Sequence, residues 1–300
     1  ITSVDEPEKI VVAKRGGPLV IGIADAAYYI ASDVNAIVGN ASRFICLEDG
    51  DIVEVSKDGL KFPNIQNNDY AKRVEEITIN AQETEKCGYD TYMEKEINEQ
   101  PESIERAFAG RIDMENATAK LSGFEDDIFK RTSKITMMSA GTSWYASYFG
   151  SLLFEHFARI HSTTEFSSEL RYKNPIVNKD DVFIAVSQSG ETADTIYAMK
   201  EIHEKGGKVF GICNVVSSTI ARQSDGGAFI HAGPEIAVAS TKAFSNTLII
   251  FYLLTLKFAR QREMSKEDGI KFINQIMKQP RLVKEALSQK EKIHAIAKKY

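Results

Sequence analysis

Apolar positions along this chain fall into two regimes. Between Pro18 and about Phe62 they come as short runs: Leu19-Val20-Ile21-Gly22-Ile23, Phe44-Ile45-Cys46-Leu47 and Ile52-Val53-Glu54-Val55. Glu48-Asp49-Gly50-Asp51 and Lys57-Asp58-Gly59 separate them as turns, so strands are predicted here. These runs look like the closing part of an antiparallel sheet domain and are too few to form one alone. From Pro63 to about Lys86 the chain is polar and weakly patterned, as a connector would be. Tyr92-Met93-Glu94-Lys95-Glu96-Ile97 begins a helical stretch that Pro101 interrupts and Ser103 to Ala109 continues.

The second regime alternates strands and helices. Ile135-Thr136-Met137-Met138-Ser139, Val182-Phe183-Ile184-Ala185-Val186 and Val209-Phe210-Gly211-Ile212-Cys213 read as strands, with Ala228-Phe229-Ile230 a fourth. Ser143 to about Ile160, Thr192 to Lys205 and Ser240 to about Arg260 read as helices, the second stopped by Gly206-Gly207. Strands without polar alternation, each followed by a helix, imply a parallel sheet covered on both faces. The fold class is therefore α/β, a doubly wound parallel sheet. Ser265 to Tyr300 reads as two amphipathic helices separated by Pro280, with Ser265 as N-cap and Ile270, Ile273 and Met277 as the apolar stripe; it would pack on the α/β domain or on a neighbour.

Bulk properties narrow the function classes. Over 300 residues the formal net charge is −5, which gives no broad attraction to nucleic acid or an anionic membrane. The longest apolar stretch, Thr247 to Leu256, is shorter than the roughly 20 residues a membrane span needs and fits a core helix. Cys46, Cys87 and Cys213 are odd in number and form no CxxC pair, which fits a reducing, cytoplasmic compartment. His156, His161, His203, His231 and His294 make no metal-ligand spacing, so no metal is expected. The start Ile1-Thr2-Ser3 lacks an initiator Met and a secretory signal, the expectation for a fragment or processed product.

Candidate chemistry sits where strands run into helices, since ligands of open α/β sheets bind beyond the carboxyl ends of the strands. Ser187-Gln188-Ser189-Gly190-Glu191-Thr192 joins an apolar strand to a helix. Its Gly permits a tight turn, its hydroxyls and amide are donors, and the helix start adds N–H groups and partial positive charge. A plain N-cap needs one Ser or Thr; this run holds more, so it is read as a phosphate cradle built from neutral groups. Ser139-Ala140-Gly141-Thr142-Ser143 is a second such turn, beside the first if their strands are neighbours. Neither has the glycine spacing of a dinucleotide site or a P-loop. Pro234-Glu235-Ile236-Ala237-Val238-Ala239-Ser240-Thr241-Lys242 is a third candidate, with Lys242 either balancing phosphate charge or solvated in a first helical turn. Glu169 and Arg171 would line the same cleft or pair with each other, while Trp144 and Tyr145 are read as packing residues.

The run Ser187-Gln188-Ser189-Gly190-Glu191-Thr192-Ala193-Asp194-Thr195 resembles the phosphosugar-binding signature of SIS (sugar isomerase) domains. More narrowly, the chain is similar to the glutamine–fructose-6-phosphate aminotransferase (isomerising) family, the glucosamine-6-phosphate synthases. The similarity rests on Pro18-Leu19-Val20-Ile21-Gly22, Ile30-Ala31-Ser32-Asp33, the Phe44–Asp51 block, Tyr92-Met93-Glu94-Lys95-Glu96-Ile97-Asn98-Glu99-Gln100-Pro101, Gly141-Thr142-Ser143 and the Glu235–Ala243 block.

That resemblance implies an N-terminal glutaminase domain followed by two SIS domains. Residues 1–62 would be the C-terminal part of a truncated, glutaminase-type α+β domain, 63–115 an interdomain linker with a helix, 116–262 the first SIS domain, and 263–300 a helical connector to a second. It implies that Thr142, Ser143, Ser187, Gln188, Ser189 and Thr192 bind the phosphate and sugar of fructose 6-phosphate or glucosamine 6-phosphate, and that Val238 contributes through its backbone. It implies no cofactor, no metal, and a homodimer through the SIS halves of the full protein. The glutaminase cysteine and the lysine, glutamates and histidine of the isomerase chemistry belong to parts outside this chain, so no catalytic residue is assigned. None of Cys46, Cys87 and Cys213 takes the nucleophile's place, and Ala140 stands where the family often has Cys. The alternatives are a noncatalytic relative or a stand-alone phosphosugar sensor. A sensor joined to a DNA-binding module would need a basic helix-turn-helix, whereas residues 1–62 read as strands.

Overall fold

Backbone pairing sorts the chain into two units, Ile1–Cys87 and Gly88–Tyr300, in a computed structural model that describes residues 1–32, 34–64, 70–71, 73–76, 85–124 and 126–300. Asp33 of the family-like segment, and residues 65–69, 72 and 77–84 of the expected connector, lie outside the described residues.

In the first unit, β1 (Lys9–Ala13), β5 (Ile52–Ser56) and β6 (Gly59–Lys61) form one antiparallel sheet. A second comprises β2 (Val20–Ile23), β3 (Tyr28–Ala31), β4 (Arg43–Cys46) and β7 (Val74–Glu76), in the order β3-β2-β4-β7. Val12, Val53 and Val55 of the first sheet meet Ile21 and Ile45 of the second in a shared core. The expectation of too few strands is thus corrected, and part of the expected connector is β7. The added strands β1, β3, β6 and β7 are short, with at most one buried residue each, so they carry little of the alternation that marks a strand in sequence.

The second unit opens with α1 (Tyr92–Asn98) and α2 (Gln100–Phe108), separated at Glu99 with Pro101 in the first turn of α2, where its missing N–H is harmless. A small hairpin follows, β8 (Ile112–Asp113) with β9 (Thr118–Ala119), then α3 (Asp126–Arg131). The main sheet is built from β10 (Lys134–Ser139), β11 (His161–Phe166), β12 (Asp181–Ser187), β13 (Lys208–Cys213) and β14 (Gly226–Phe229). All neighbours are parallel, in the order β11-β10-β12-β13-β14. The connecting helices are α4 (Gly141–Leu153), which ends in a π-type turn over Phe154–Ala158, α5 (Ser167–Leu170), α6 (Ala193–Glu204) and α7 (Thr219–Gln223). Then come α8 (Lys242–Arg260), α9 (Lys266–Leu287) and α10 (Lys290–Ala297).

Every residue of β12 is buried, because Val182, Ile184 and Val186 face one core with α4 and α8 while Phe183 and Ala185 face another with α6 and α7. Each large side chain buried this way contributes about 1.5–3 kcal/mol, which is why the strand has no polar alternation.

Two expectations fail here. The strand β11, His161-Ser162-Thr163-Thr164-Glu165-Phe166, carries no strand signal in its sequence, because an edge strand need not bury both faces and this one buries only Ser162. Pro280 does not divide the last helices: it lies inside α9, buried with Ile273 and Ile276, and the break comes at Ser288-Gln289. Burial of that face offsets the hydrogen bond a mid-helix proline forfeits. Ser265 caps α9 as expected, accepting the Asp268 N–H at 3.1 Å. Among the described residues no helix is long and apolar enough to cross a membrane.

Candidate functional site

In chain order the parallel sheet runs 2-1-3-4-5, and the connections change direction between its central strands β10 and β12. A crevice forms at such a switch point, outside the carboxyl ends of the two strands. Ser139, the last residue of β10, stands opposite Val186 of β12. The turns Ser139-Ala140-Gly141-Thr142-Ser143 and Ser187-Gln188-Ser189-Gly190-Glu191-Thr192 therefore emerge side by side.

Each turn opens a helix whose first N–H groups have no side-chain cap. The N-cap of α4 is Ala140, which has no acceptor, and Thr192 at the N-cap of α6 does not turn its hydroxyl onto the helix. Thr192 Oγ1 instead lies 2.8 Å from Ser187 Oγ, and Ser187 Oγ accepts the Gly190 N–H at 3.1 Å. Ser189 Oγ accepts the Glu191 N–H at 3.2 Å. Elsewhere in this unit Thr91 caps α1, Ser218 caps α7 and Ser265 caps α9, whereas Thr241 at the N-cap of α8 does not. Plain capping therefore does not explain the hydroxyls of the 187–192 turn. Two uncapped helix starts, each equivalent to roughly half a positive charge, converge with hydroxyl donors on one crevice. That arrangement suits an anion bound by neutral groups.

Gly190 makes the turn possible. Its φ is +67°, and a Cβ there would stand 2.1 Å from Ser218 Oγ. The close approach locks the cradle against α7, where Glu191 Oε1 accepts the Thr219 N–H at 2.6 Å and the Gly190 carbonyl accepts the Ile220 N–H at 3.0 Å. Behind the other turn, Ser139 donates to Ser147 Oγ at 3.1 Å, and Ser147 donates to the Ser143 carbonyl at 2.8 Å.

Cys213 stands beside Ser187 in the sheet register. Burial pushes its thiol up to about 11, with the Ser218 hydroxyl opposing and Glu191 adding to the shift, so it is neutral and unreactive.

Thr142 is exposed, Ser143, Gln188, Ser189 and Thr192 are half-buried and Ser187 is buried. Val238 lies on a third segment, the loop between β14 and α8, with its side chain fully in solvent at 107% relative exposure. Asn214 links that loop's start to the cradle: its N–H reaches the Gln188 carbonyl at 3.0 Å, its Oδ1 accepts the Ala232 N–H at 2.9 Å and its Nδ2 donates to the Gly233 carbonyl at 2.7 Å. Asn214 was missed in sequence because nothing local distinguishes it.

Both expectations for Lys242 are overturned. It is 3% exposed and donates to Glu99 Oε2 at 2.6 Å, so it is neither solvated nor free for phosphate. Glu169 and Arg171 do not pair; Arg171 faces Asp194 at 3.8 Å and stacks over Tyr172 and Tyr197. Trp144 packs, stacked on Tyr148 and Phe166, whereas Tyr145 is largely exposed.

Comparison with known proteins agrees with this fold. The SIS domain model matches residues 128–257. The chain is 42% identical to the glutamine–fructose-6-phosphate aminotransferase [isomerizing] of Chlorobaculum tepidum over 100% of its own length and 49% of that protein. It is 37% identical to the Clostridium tetani protein of the same name over 98% of the chain and 49% of that protein. The chain thus spans about half the length of the curated relatives it matches. Among solved structures, the C-terminal domain of glucosamine-fructose-6-phosphate aminotransferase from Francisella tularensis superposes with a TM-score of 0.68 at 31% identity, covering 71% of this chain and 60% of that one.

Proposed function

Since the chain belongs to the glutamine–fructose-6-phosphate aminotransferase (isomerising) family, we propose that it supplies the sugar-phosphate-binding part of an isomerase site. The ligand is fructose 6-phosphate or its amino product, glucosamine 6-phosphate. Its phosphate rests on the 187–192 turn and the start of α6, with Thr142 and Ser143 closing the other side. Ser187, Gln188, Ser189 and Thr192 donate to phosphate or sugar oxygens, and the Val238 backbone contributes from the loop after β14.

The observation that carries this reading is the pair of uncapped helix starts at the switch point, flanked by hydroxyls that cap nothing. In the whole protein the site would serve conversion of fructose 6-phosphate and glutamine to glucosamine 6-phosphate and glutamate. Residues 1–62 are proposed as the end of a glutaminase-type domain, 63–115 as the linker, 116–262 as the SIS domain and 263–300 as the connector to a second one. A homodimer through SIS domains and a cytoplasmic location belong to the same proposal. The antiparallel sheets of the first unit weigh against a DNA-binding sensor.

Calorimetry with fructose 6-phosphate tests the site. Wild type should bind and not turn over, and Ser189→Ala should weaken binding by about 1.5–3 kcal/mol, the usual worth of a hydrogen bond to a charged group. Unchanged affinity removes Ser189 from the site, and turnover of fructose 6-phosphate with ammonia by this chain sinks the division of labour.

A further inference from the structure

We propose that Glu96 on α1 is the positioning residue that sets the 236–240 loop for the sugar end of the ligand, an inference that rests on the sugar-phosphate reading above. Residues 230–241 join β14 to α8 without regular secondary structure, so side chains must define their path. Asn214 holds the start of the segment. Glu235 holds its end: Oε1 accepts the N–H groups of Thr241 at 2.9 Å and Ala243 at 3.1 Å, and Oε2 accepts the Ser240 hydroxyl at 3.0 Å. The middle is held by Glu96, whose Oε1 accepts the consecutive N–H groups of Ile236 at 2.6 Å and Ala237 at 3.1 Å. Consecutive amides converging on one anion form a nest, here filled by a carboxylate of the same chain. Glu96 is 2% exposed, yet Val238, the residue after the nest, stands fully in solvent.

Fold stability alone does not account for Glu96. Its Oε2 is buried and accepts no hydrogen bond from the described residues, and among them no cation pairs with it. A buried carboxylate in that condition costs free energy that an apolar side chain would not. What the fold gains is a fixed loop. The frame behind Glu96 is itself anchored, since Glu99 receives Lys242 at 2.6 Å and Gln100 Oε1 accepts the Ser245 hydroxyl at 2.6 Å. Glu96 touches no phosphate-binding turn, so its effect falls on the sugar and not on the phosphate.

The 300-residue chain and the variants Glu96→Gln, Glu96→Asp and Glu96→Ala are titrated by calorimetry with fructose 6-phosphate and, separately, with inorganic phosphate. Gln keeps an acceptor oxygen at the same reach and should retain fructose 6-phosphate affinity within about twofold, while Asp, one methylene shorter, and Ala should lose about tenfold. Inorganic phosphate affinity should stay within about twofold throughout, since its donors lie elsewhere. Should Glu96→Ala fail to fold by circular dichroism, Asp against Gln decides. Wild-type fructose 6-phosphate affinity in the Asp variant overturns the proposal, as does a parallel loss for both ligands, which would mark a fold-wide effect. Failure of the unsubstituted chain to bind fructose 6-phosphate at all would sink the sugar-phosphate reading itself.

Discussion

Alanine at Gly190 tests whether the cradle is sterically locked against α7. The glycine has φ +67°, and a Cβ would meet Ser218 Oγ at 2.1 Å and Ser218 Cβ at 2.5 Å. Gly141, in the companion turn, has φ +57° with nothing within 4 Å of a Cβ. Alanine at either position takes the left-handed penalty of about 1–2 kcal/mol. Only at Gly190 does overpacking add about 1–3 kcal/mol. Gly141→Ala should therefore cost about 1–2 kcal/mol and Gly190→Ala about 2–5 kcal/mol. Ser218→Gly removes both clashing atoms and costs a few tenths of a kcal/mol as an N-cap change. The double variant should recover the steric part, a coupling of about 1–3 kcal/mol. Urea unfolding followed by the fluorescence of Trp144 measures all four variants, since this sole tryptophan lies in the same unit as both glycines. Equal losses at the two glycines, or no recovery in the double variant, would refute the steric lock.

Two titrations follow from the same unit. Cys213 has its thiol raised from the ordinary 9.0 to about 11 by burial, so the folded state holds that proton more tightly than the unfolded state. Its contribution is complete below about 9 and lost as pH rises toward about 11, on the order of 2–3 kcal/mol. Urea unfolding across that window should show Cys213→Ala declining less than wild type, and parallel curves would contradict the assignment. His231 is held below its ordinary 6.5 first by burial and then by the charges of Arg111 and Arg106. The unfolded state takes that proton more readily, so the stability present above about 6.5 is lost as pH falls through the folded value. An NMR titration should place the His231 midpoint below 6.5. His231→Asn, which tolerates the positive φ of 51° there, should lessen the acid-side loss; a midpoint above the ordinary value would refute it.

Much of the architecture was legible because it is written in neighbouring residues. The unbroken apolar run of β12 announces a strand buried on both faces, and the helix after it follows from its own periodicity. The 187–192 cradle was legible for the same reason: its Gly, hydroxyls and amide are contiguous, so one turn gathers them. β11 escaped because an edge strand with polar side chains carries no such mark, and Pro280 misled because its local cost was set against burial that only packing supplies.

By itself the sequence determined the apolar strands and longer helices of the second unit, the make-up of the 187–192 turn and the family resemblance. The tertiary structure alone decided that β10 and β12 are neighbours, which brings Thr142 and Ser143 beside the cradle. It also decided that Lys242 is buried against Glu99 and that Glu96 grips the amides of Ile236 and Ala237, across separations of 143, 140 and 141 residues. Periodicity and turn chemistry act over a few residues, whereas strand order and hydrogen bonds across such distances exist only once the chain has closed on itself.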